Sequence, residues 1–356
     1  MMRHSFDRFI FVAFLTSLAL APVALAQQKP SVVVLATGGT IAGAAASDVQ
    51  AAYTSGQVGV EQLLAAVPQA KELANLRGEQ ISNIGSQDMN DEVWLKLAHR
   101  VNELLSSSAV NGIVITHGTD TIEETSYFLN LVVKSRKPVV LTAAMRPATA
   151  LSADGPLNFY NAVAVAANPQ AAGRGVLVVV NDWIHDAASL TKTSTTAVQT
   201  FLSPLRGLVG TVAYGVPDFY RGAVGRATTE SEFSLDGVTA LPRVDIIYAH
   251  ENMDGKLIEA AVAAGAKGIV VAGVGNGNMT EPALEAFAAA AKKGVVCVRS
   301  SRVTTGMVGR NVEVKDDELG LIASDTLNPQ KARVLLRLIL LNPPPAKEIQ
   351  RMFVEY

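Results

Sequence analysis

Four threonines flank two glycine-rich turns early in this chain, Thr37-Gly38-Gly39-Thr40 and His117-Gly118-Thr119-Asp120-Thr121. Each turn follows an apolar run, Val32-Val-Val-Leu-Ala36 and Gly112-Ile-Val-Ile-Thr116, the pattern of a strand buried on both faces. Hydroxyls on glycine hinges at the carboxyl edge of a parallel sheet stand where α/β folds build their sites. A threonine hydroxyl becomes a nucleophile only when a base takes its proton. Lys192, in Thr191-Lys-Thr193, and Tyr53 are the candidate bases. A lysine serves as a base only where burial or a nearby cation lowers its pKa. The plainer alternative makes each threonine a helix cap, Lys192 a solvated surface lysine and Tyr53 a rim aromatic. Two such turns in one domain point instead to hydroxyl chemistry.

Other chemistries are poorly represented. Gly38-Gly39-Thr40-Ile-Ala-Gly43 and Gly273-Val-Gly275-Asn-Gly277-Asn278 both miss the dinucleotide-binding glycine spacing, and no Walker lysine is present. The five histidines show no ligand spacing, so no metal site is expected. Cys297 is the single cysteine, so no intrachain disulfide can form. It lies in Gly294-Val-Val-Cys-Val298, which reads as an inert core thiol. A net charge of -2 and a charged fraction of 17% leave no basic face for nucleic acid.

The elements that must position these residues follow from periodicity. Residues 1–26 read as a secretory signal: Arg3, His4 and Arg8, an apolar stretch from Phe9 to about Ala21, then Ala24-Leu25-Ala26. The mature chain then starts near Gln27 and is exported to a periplasm, with no membrane-spanning stretch after it. From 27 to 219 strand and helix patterns alternate, with strands at Ser31–Ala36, Gly112–Thr116, Pro138–Thr142 and Gly175–Val180. Asn90 caps a helix whose Trp94, Leu97 and Val101 recur at helical spacing. Thr121 and Glu124 read as a capping box for the next helix. Residues 181–215 read as a long irregular loop, a length usually kept for function. Residues 220–242 read as a linker, and 243–356 as a second alternation ending in a helix from Leu335 to Leu341. The expectation is two parallel-sheet α/β domains, a larger N-terminal and a smaller C-terminal one.

With those residues in view, Thr37-Gly-Gly-Thr-Ile-Ala-Gly43 and His117-Gly-Thr-Asp-Thr121 resemble the two signatures of bacterial L-asparaginases, and the leader points to their exported branch. Ile84-Gly-Ser-Gln-Asp-Met-Asn90, Ala144-Met-Arg-Pro147, Gly273-Val-Gly-Asn-Gly-Asn278 and Thr326-Leu-Asn-Pro-Gln-Lys-Ala-Arg333 agree, so the resemblance spans nearly the whole mature chain. It implies hydrolysis of the asparagine side-chain amide through an acyl-enzyme, with no cofactor. Thr40 resembles the nucleophile, assisted by Tyr53, while Thr119, Asp120 and Lys192 resemble a proton-relaying group. Ser86, Gln87 and Ala144 resemble substrate-holding residues, as do Thr119 and Asp120. Asn278 and Glu313 resemble residues that a neighbouring subunit supplies. The implied assembly is a homotetramer of dimers with shared sites, and the implied C-terminal domain is flavodoxin-like.

The chain departs from some relatives at Ser106-Ser-Ser108 and Lys134-Ser-Arg136, where a disulfide stands elsewhere, and at Asp186-Ala-Ala-Ser189. An exported amino-acid-binding protein and a nucleotide-dependent enzyme are the competing classes. The first has no use for a Thr–Lys–Asp group, and the second lacks its fingerprints.

Overall fold

The computed structural model describes residues 28–42, 44–45, 53–54 and 59–356. The expected leader and the expected new terminus at Gln27 lie outside them. The chain runs β1 (Ser31–Gly38), a ribbon of β2 (Ala44–Ala45) and β3 (Tyr53–Thr54), α1 (Val60–Ala66), α2 (Ala70–Leu73) and β4 (Asn75–Ile84). It continues through α3 (Asp91–Ser106), β5 (Gly112–Thr116), α4 (Ile122–Val132), β6 (Val139–Thr142), α5 (Gly155–Ala167) and β7 (Val176–Val180). Then come β8 (Trp183–Asp186), β9 (Thr191–Lys192), β10 (Phe201–Leu202), β11 (Gly210–Ala213) and β12 (Val216–Phe219).

Among the described residues these strands form an 8-stranded sheet in the order β12-β11-β8-β7-β6-β5-β1-β4, with β9 and β10 paired apart. The run from β4 to β7 is parallel, and β8, β11 and β12 add an antiparallel edge. The segment 181–215 is therefore not the irregular loop expected from its polarity. It carries four short strands whose two to four residues leave little periodicity to read.

The layers follow from the alternation of side chains along each strand. Val33 and Leu35 of β1 face one core with Trp94 and Leu97 of α3 and Phe128 of α4. Val32 and Val34 face a second core with Leu63 and Leu64 of α1 and Phe159 and Val163 of α5. A strand packed on both faces needs the continuous apolar run seen in the sequence. Trp94 is core, as expected: its ring stacks on Phe128 at 4.8 Å, and its Nε1–H donates to Thr125 Oγ1 at 2.9 Å. Asn90 caps α3, accepting from the Val93 N–H at 3.1 Å. Thr121 does not cap α4 through its side chain. Its hydroxyl donates instead to Ser86 O, in the turn after β4, at 2.7 Å.

The smaller domain holds β13 (Val244–Tyr248), α6 (Lys256–Ala263), β14 (Gly268–Gly273), α7 (Glu281–Lys292), β15 (Val296–Ser301), α8 (Asp316–Leu319), β16 (Ile322–Ala323), α9 (Pro329–Ile339) and α10 (Ala346–Glu355). Its sheet, β13-β14-β15-β16, is parallel throughout. The helix expected from Leu335 starts at Pro329, after Asn328 caps it from the Lys331 N–H at 3.1 Å. Between the domains, Phe233, Leu235 and Leu241 of the 220–242 segment enter the larger core. Among the described residues no helix is long and apolar enough to cross a membrane.

Two buried histidines give the fold a defined acid response. Burial pushes His117 and His185 down to about 4 from the ordinary 6.5. Between those values the unfolded chain binds more protons than the native one, so stability falls as pH drops through the window. Glu124 acts in the opposite sense, since burial raises it to about 6 from 4.5. Replacing His185 with asparagine should therefore reduce the stability lost between about pH 7 and about pH 4.5 by about 2 kcal/mol. Denaturant titrations of both proteins at the two pH values measure the difference. An unchanged loss would mean that His185 does not titrate as a buried neutral imidazole.

Candidate active site

The two glycine turns meet at the carboxyl ends of adjacent strands. β1 pairs with β5 so that Ala36 stands opposite Thr116, and both turns begin one or two residues further on. Chain order reverses here, because β4 lies on one side of β1 and β5 on the other. Such switch points open the crevices of α/β sheets. Gly38 and Gly39 take φ values of +111° and +82°. A Cβ on Gly38 would stand 2.3 Å from Ile84 O, and one on Gly39 would stand 2.4 Å from Gly118 N. Only glycine permits this backbone-to-backbone approach. It seats Gly39 against Gly118 of the second turn, and Thr40, the next residue, is 4% exposed.

Thr119 is 6% exposed. Lys192, carried on β9, donates from Nζ to Thr119 Oγ1 at 2.9 Å and to Asp120 Oδ1 at 2.7 Å. The side chains of Lys192 and Asp120 are 19% and 58% exposed, so the pair sits at a mouth with its hydroxyl partner beneath. Ser86, buried just after β4, accepts the Asp120 N–H on Oγ at 3.1 Å. Gln87 is exposed, and its amide donates to Asp88 Oδ2 at 3.3 Å. Ala144 is buried beyond β6 and lines the same edge as Ile41: a Cβ on Gly155 would meet their side chains at 3.3 and 3.1 Å. His117 holds the turn from behind, its Nδ1 bonded to Gly118 O at 2.8 Å. The Tyr53 backbone pairs with Ala45 in the β2–β3 ribbon; its side chain lies outside the described residues.

Ser86, Thr119, Asp120 and Lys192 are thus linked by hydrogen bonds, with Thr40 following the glycine that meets Gly118, while Asn278 and Glu313 bond to each other. Asn278 follows β14 and donates from Nδ2 to Glu313 Oε2. Among the described residues, neither bonds to Ser86, Thr119, Asp120 or Lys192. Their platform is firm. Arg299 and Asp316, both fully buried, form a two-point pair at 2.6 and 2.8 Å. Arg299 also donates to Asn276 O at 2.9 Å, Gly277 O at 3.2 Å and Gly309 O at 3.1 Å, and Asp316 accepts the Asn311 N–H at 2.8 Å. A buried pair in which all five guanidinium N–H groups find acceptors fixes the turns around it.

Two further groups near Lys192 escaped the reading of the sequence. Glu123 accepts the Lys192 N–H on Oε2 at 3.3 Å, and Lys331 donates to the carbonyls of Ala188, at 3.0 Å, and Leu190. Glu123 looks like any acid in the first turn of a helix. Lys331 was visible only as part of Thr326-Leu-Asn-Pro-Gln-Lys-Ala-Arg333.

Residues 31–224 match the family description "Asparaginase, N-terminal", and residues 243–353 match "Glutaminase/Asparaginase C-terminal domain". The chain belongs to the asparaginase family. A protein named probable periplasmic L-asparaginase from Haemophilus influenzae is 52% identical over 94% of this asparaginase-family chain and 95% of its own length. L-asparaginase 2 of Escherichia coli is 50% identical, over 92% of this chain and 93% of its own. The crystal structure of a probable cytoplasmic L-asparaginase from Campylobacter jejuni superposes with a TM-score of 0.89. That structure is 45% identical and covers 92% of this chain and 100% of its own. The expected family and the expected two-domain α/β fold are both borne out.

Proposed function

We propose that the chain is an exported L-asparaginase whose nucleophile is Thr40. The observation that carries this reading is the contact of Lys192 Nζ with both Thr119 Oγ1 and Asp120 Oδ1, beside the turn that presents Thr40. Asparagine brings an α-ammonium and an α-carboxylate, so its site needs both signs. Asp120 receives the ammonium. Ser86 receives the carboxylate, because the bond from the Asp120 N–H uses a lone pair of Oγ and leaves its hydroxyl proton to donate.

The Thr40 hydroxyl oxygen attacks the carboxamide carbon, and its proton passes toward the Thr119–Lys192 relay, with Tyr53 assisting from the β2–β3 segment. Backbone N–H groups at the glycine turns hold the oxyanion. The C–N bond breaks, the relay protonates the leaving nitrogen, and ammonia departs from an ester on Thr40. Water then attacks the ester, aspartate leaves, and Thr40 regains its proton. Every step uses protein groups and water alone.

The domains of this reading are a leader of 1–26, a catalytic domain of 27–219, a connection of 220–242 and a C-terminal domain of 243–356. The assembly is a homotetramer of dimers, in which Asn278 and Glu313 complete a neighbour's site. Their bond to each other, away from Lys192, supports that role.

Ammonia release from asparagine and from glutamine tests the substrate. Glutamine is one methylene longer, and a methylene discriminates by about 10–200-fold. The Gly85-Ser86-Gln87-Asp88 segment and Asn278 resemble the asparagine-preferring members, so kcat/KM for asparagine should exceed that for glutamine within that range. Equal constants would mean that this pocket is not built for the shorter amide. No ammonia from either would overturn the amidohydrolase reading.

A further inference from the structure

Lysine has a long, flexible stem, so its ammonium meets Thr119 in one geometry only if its backbone is held. Here that backbone is held from the other domain. α9 and its cap residue offer three polar side chains: Lys331 to the segment that leads into β9, and Gln330 and Asn328 to Glu123 of α4. Lys331, 2% exposed, reaches the carbonyls of Ala188 and Leu190 with its ammonium. Gln330 donates to Glu123 Oε1, and Asn328 approaches the same oxygen at 3.5 Å. The other oxygen of Glu123 accepts the Lys192 N–H. Glu123 sits four residues after Thr119, so one short segment holds Lys192 at both ends. Thr119 and Asp120 take its ammonium, and Glu123 takes its amide.

Packing alone does not account for Lys331. Burying an ammonium costs several kcal/mol unless it is well partnered, and a methionine would fill the same space without that cost. What a methionine lacks is the pair of bonds to carbonyls two and four residues before Lys192.

We infer that Glu123 and Lys331 are positioning residues, which dock α9 of the C-terminal domain onto the β9 strand and so fix the reach of Lys192 to Thr119. The inference rests on the proton-relay reading of Lys192. Neither residue touches substrate. Their influence passes through the place of one ammonium, where a displacement of about 1 Å costs about a hundredfold in rate.

The test compares Lys331→Met, Glu123→Gln and Gln330→Ala with the wild-type enzyme, each also combined with Lys192→Ala. Lys331→Met should lower kcat for asparagine by about 30–100-fold with KM within about 3-fold, because Ser86 and Asp120 lie on other elements. Glu123→Gln should follow in the same direction, and half-buried Gln330→Ala more weakly. In the Lys192→Ala background each change should lower kcat by less than about 3-fold further, since residues acting through one group are not additive. A purely structural role would multiply the two losses instead. Should Lys331→Met fail to fold, Glu123→Gln and Gln330→Ala carry the same comparison. If Lys192→Ala is impaired while the folded α9-contact variants keep wild-type kcat, or if the losses multiply, the positioning role is overturned and the relay stands. If Lys192→Ala itself keeps wild-type kcat, the relay falls and the positioning role falls with it.

Discussion

Thr40→Ala is expected to fold and to release ammonia from asparagine about a thousandfold more slowly than the wild-type protein, or slower still, as loss of a covalent nucleophile does elsewhere. The fold should survive because Gly38 and Gly39, not the threonine side chain, make the turn. Thr119→Ala should lose a comparable factor, since it removes the hydroxyl to which Lys192 donates. The two losses should not multiply, because the residues act as one unit. Turnover together with near-ultraviolet circular dichroism separates chemistry from folding. Near-wild-type release by either folded variant would leave the two-threonine mechanism without support.

The second large effect concerns subunits. Glu313→Ala should be nearly inactive, yet its lesion should be repairable by a chain that lacks Thr40. In a two-fold dimer with shared sites, co-refolding equal amounts of Thr40→Ala and Glu313→Ala gives hybrids in roughly half of the dimers, each with one intact site of two. Activity should therefore return to roughly a quarter of the wild-type value from two almost dead parents. The Arg299–Asp316 pair makes this plausible, because the platform under Asn278 and Glu313 is internal to each chain and survives a change of neighbour. Mixtures shown by mass to contain hybrids, but as inactive as their parents, would rule out a shared site.

Local signals carried much of the site. Gly38, Gly39 and Gly118 announced themselves by type and by the apolar strands before them, and the structure presses Gly39 against Gly118 and Gly38 against the Ile84 backbone. Strand β5 and the capped start of α3 also lay open in the sequence, since both depend on neighbours along the chain. What stayed hidden depends on distant partners. Strand β4, Asn75–Ile84, is an edge with mostly half-exposed or exposed residues, and its polar sequence shows no clean alternation. Thr121 obeyed the spacing of a capping box, but its hydroxyl went to Ser86 O, a bond that no local window contains. Glu123 and Lys331 are more than two hundred positions apart, and only the docking of α9 makes them neighbours of the same strand.

The lone thiol has a practical corollary. Cys297 is fully buried, donates to Phe287 O at 3.4 Å and is pushed up to about 12 by burial. Alkylating reagents attack thiolates, which this residue does not offer near neutral pH. A cysteine introduced on an exposed loop would then be the one labelling handle per chain. Dyes, polymers or tethers could be attached there without protecting a native sulfur, and a reducing buffer could be kept throughout without loosening the fold.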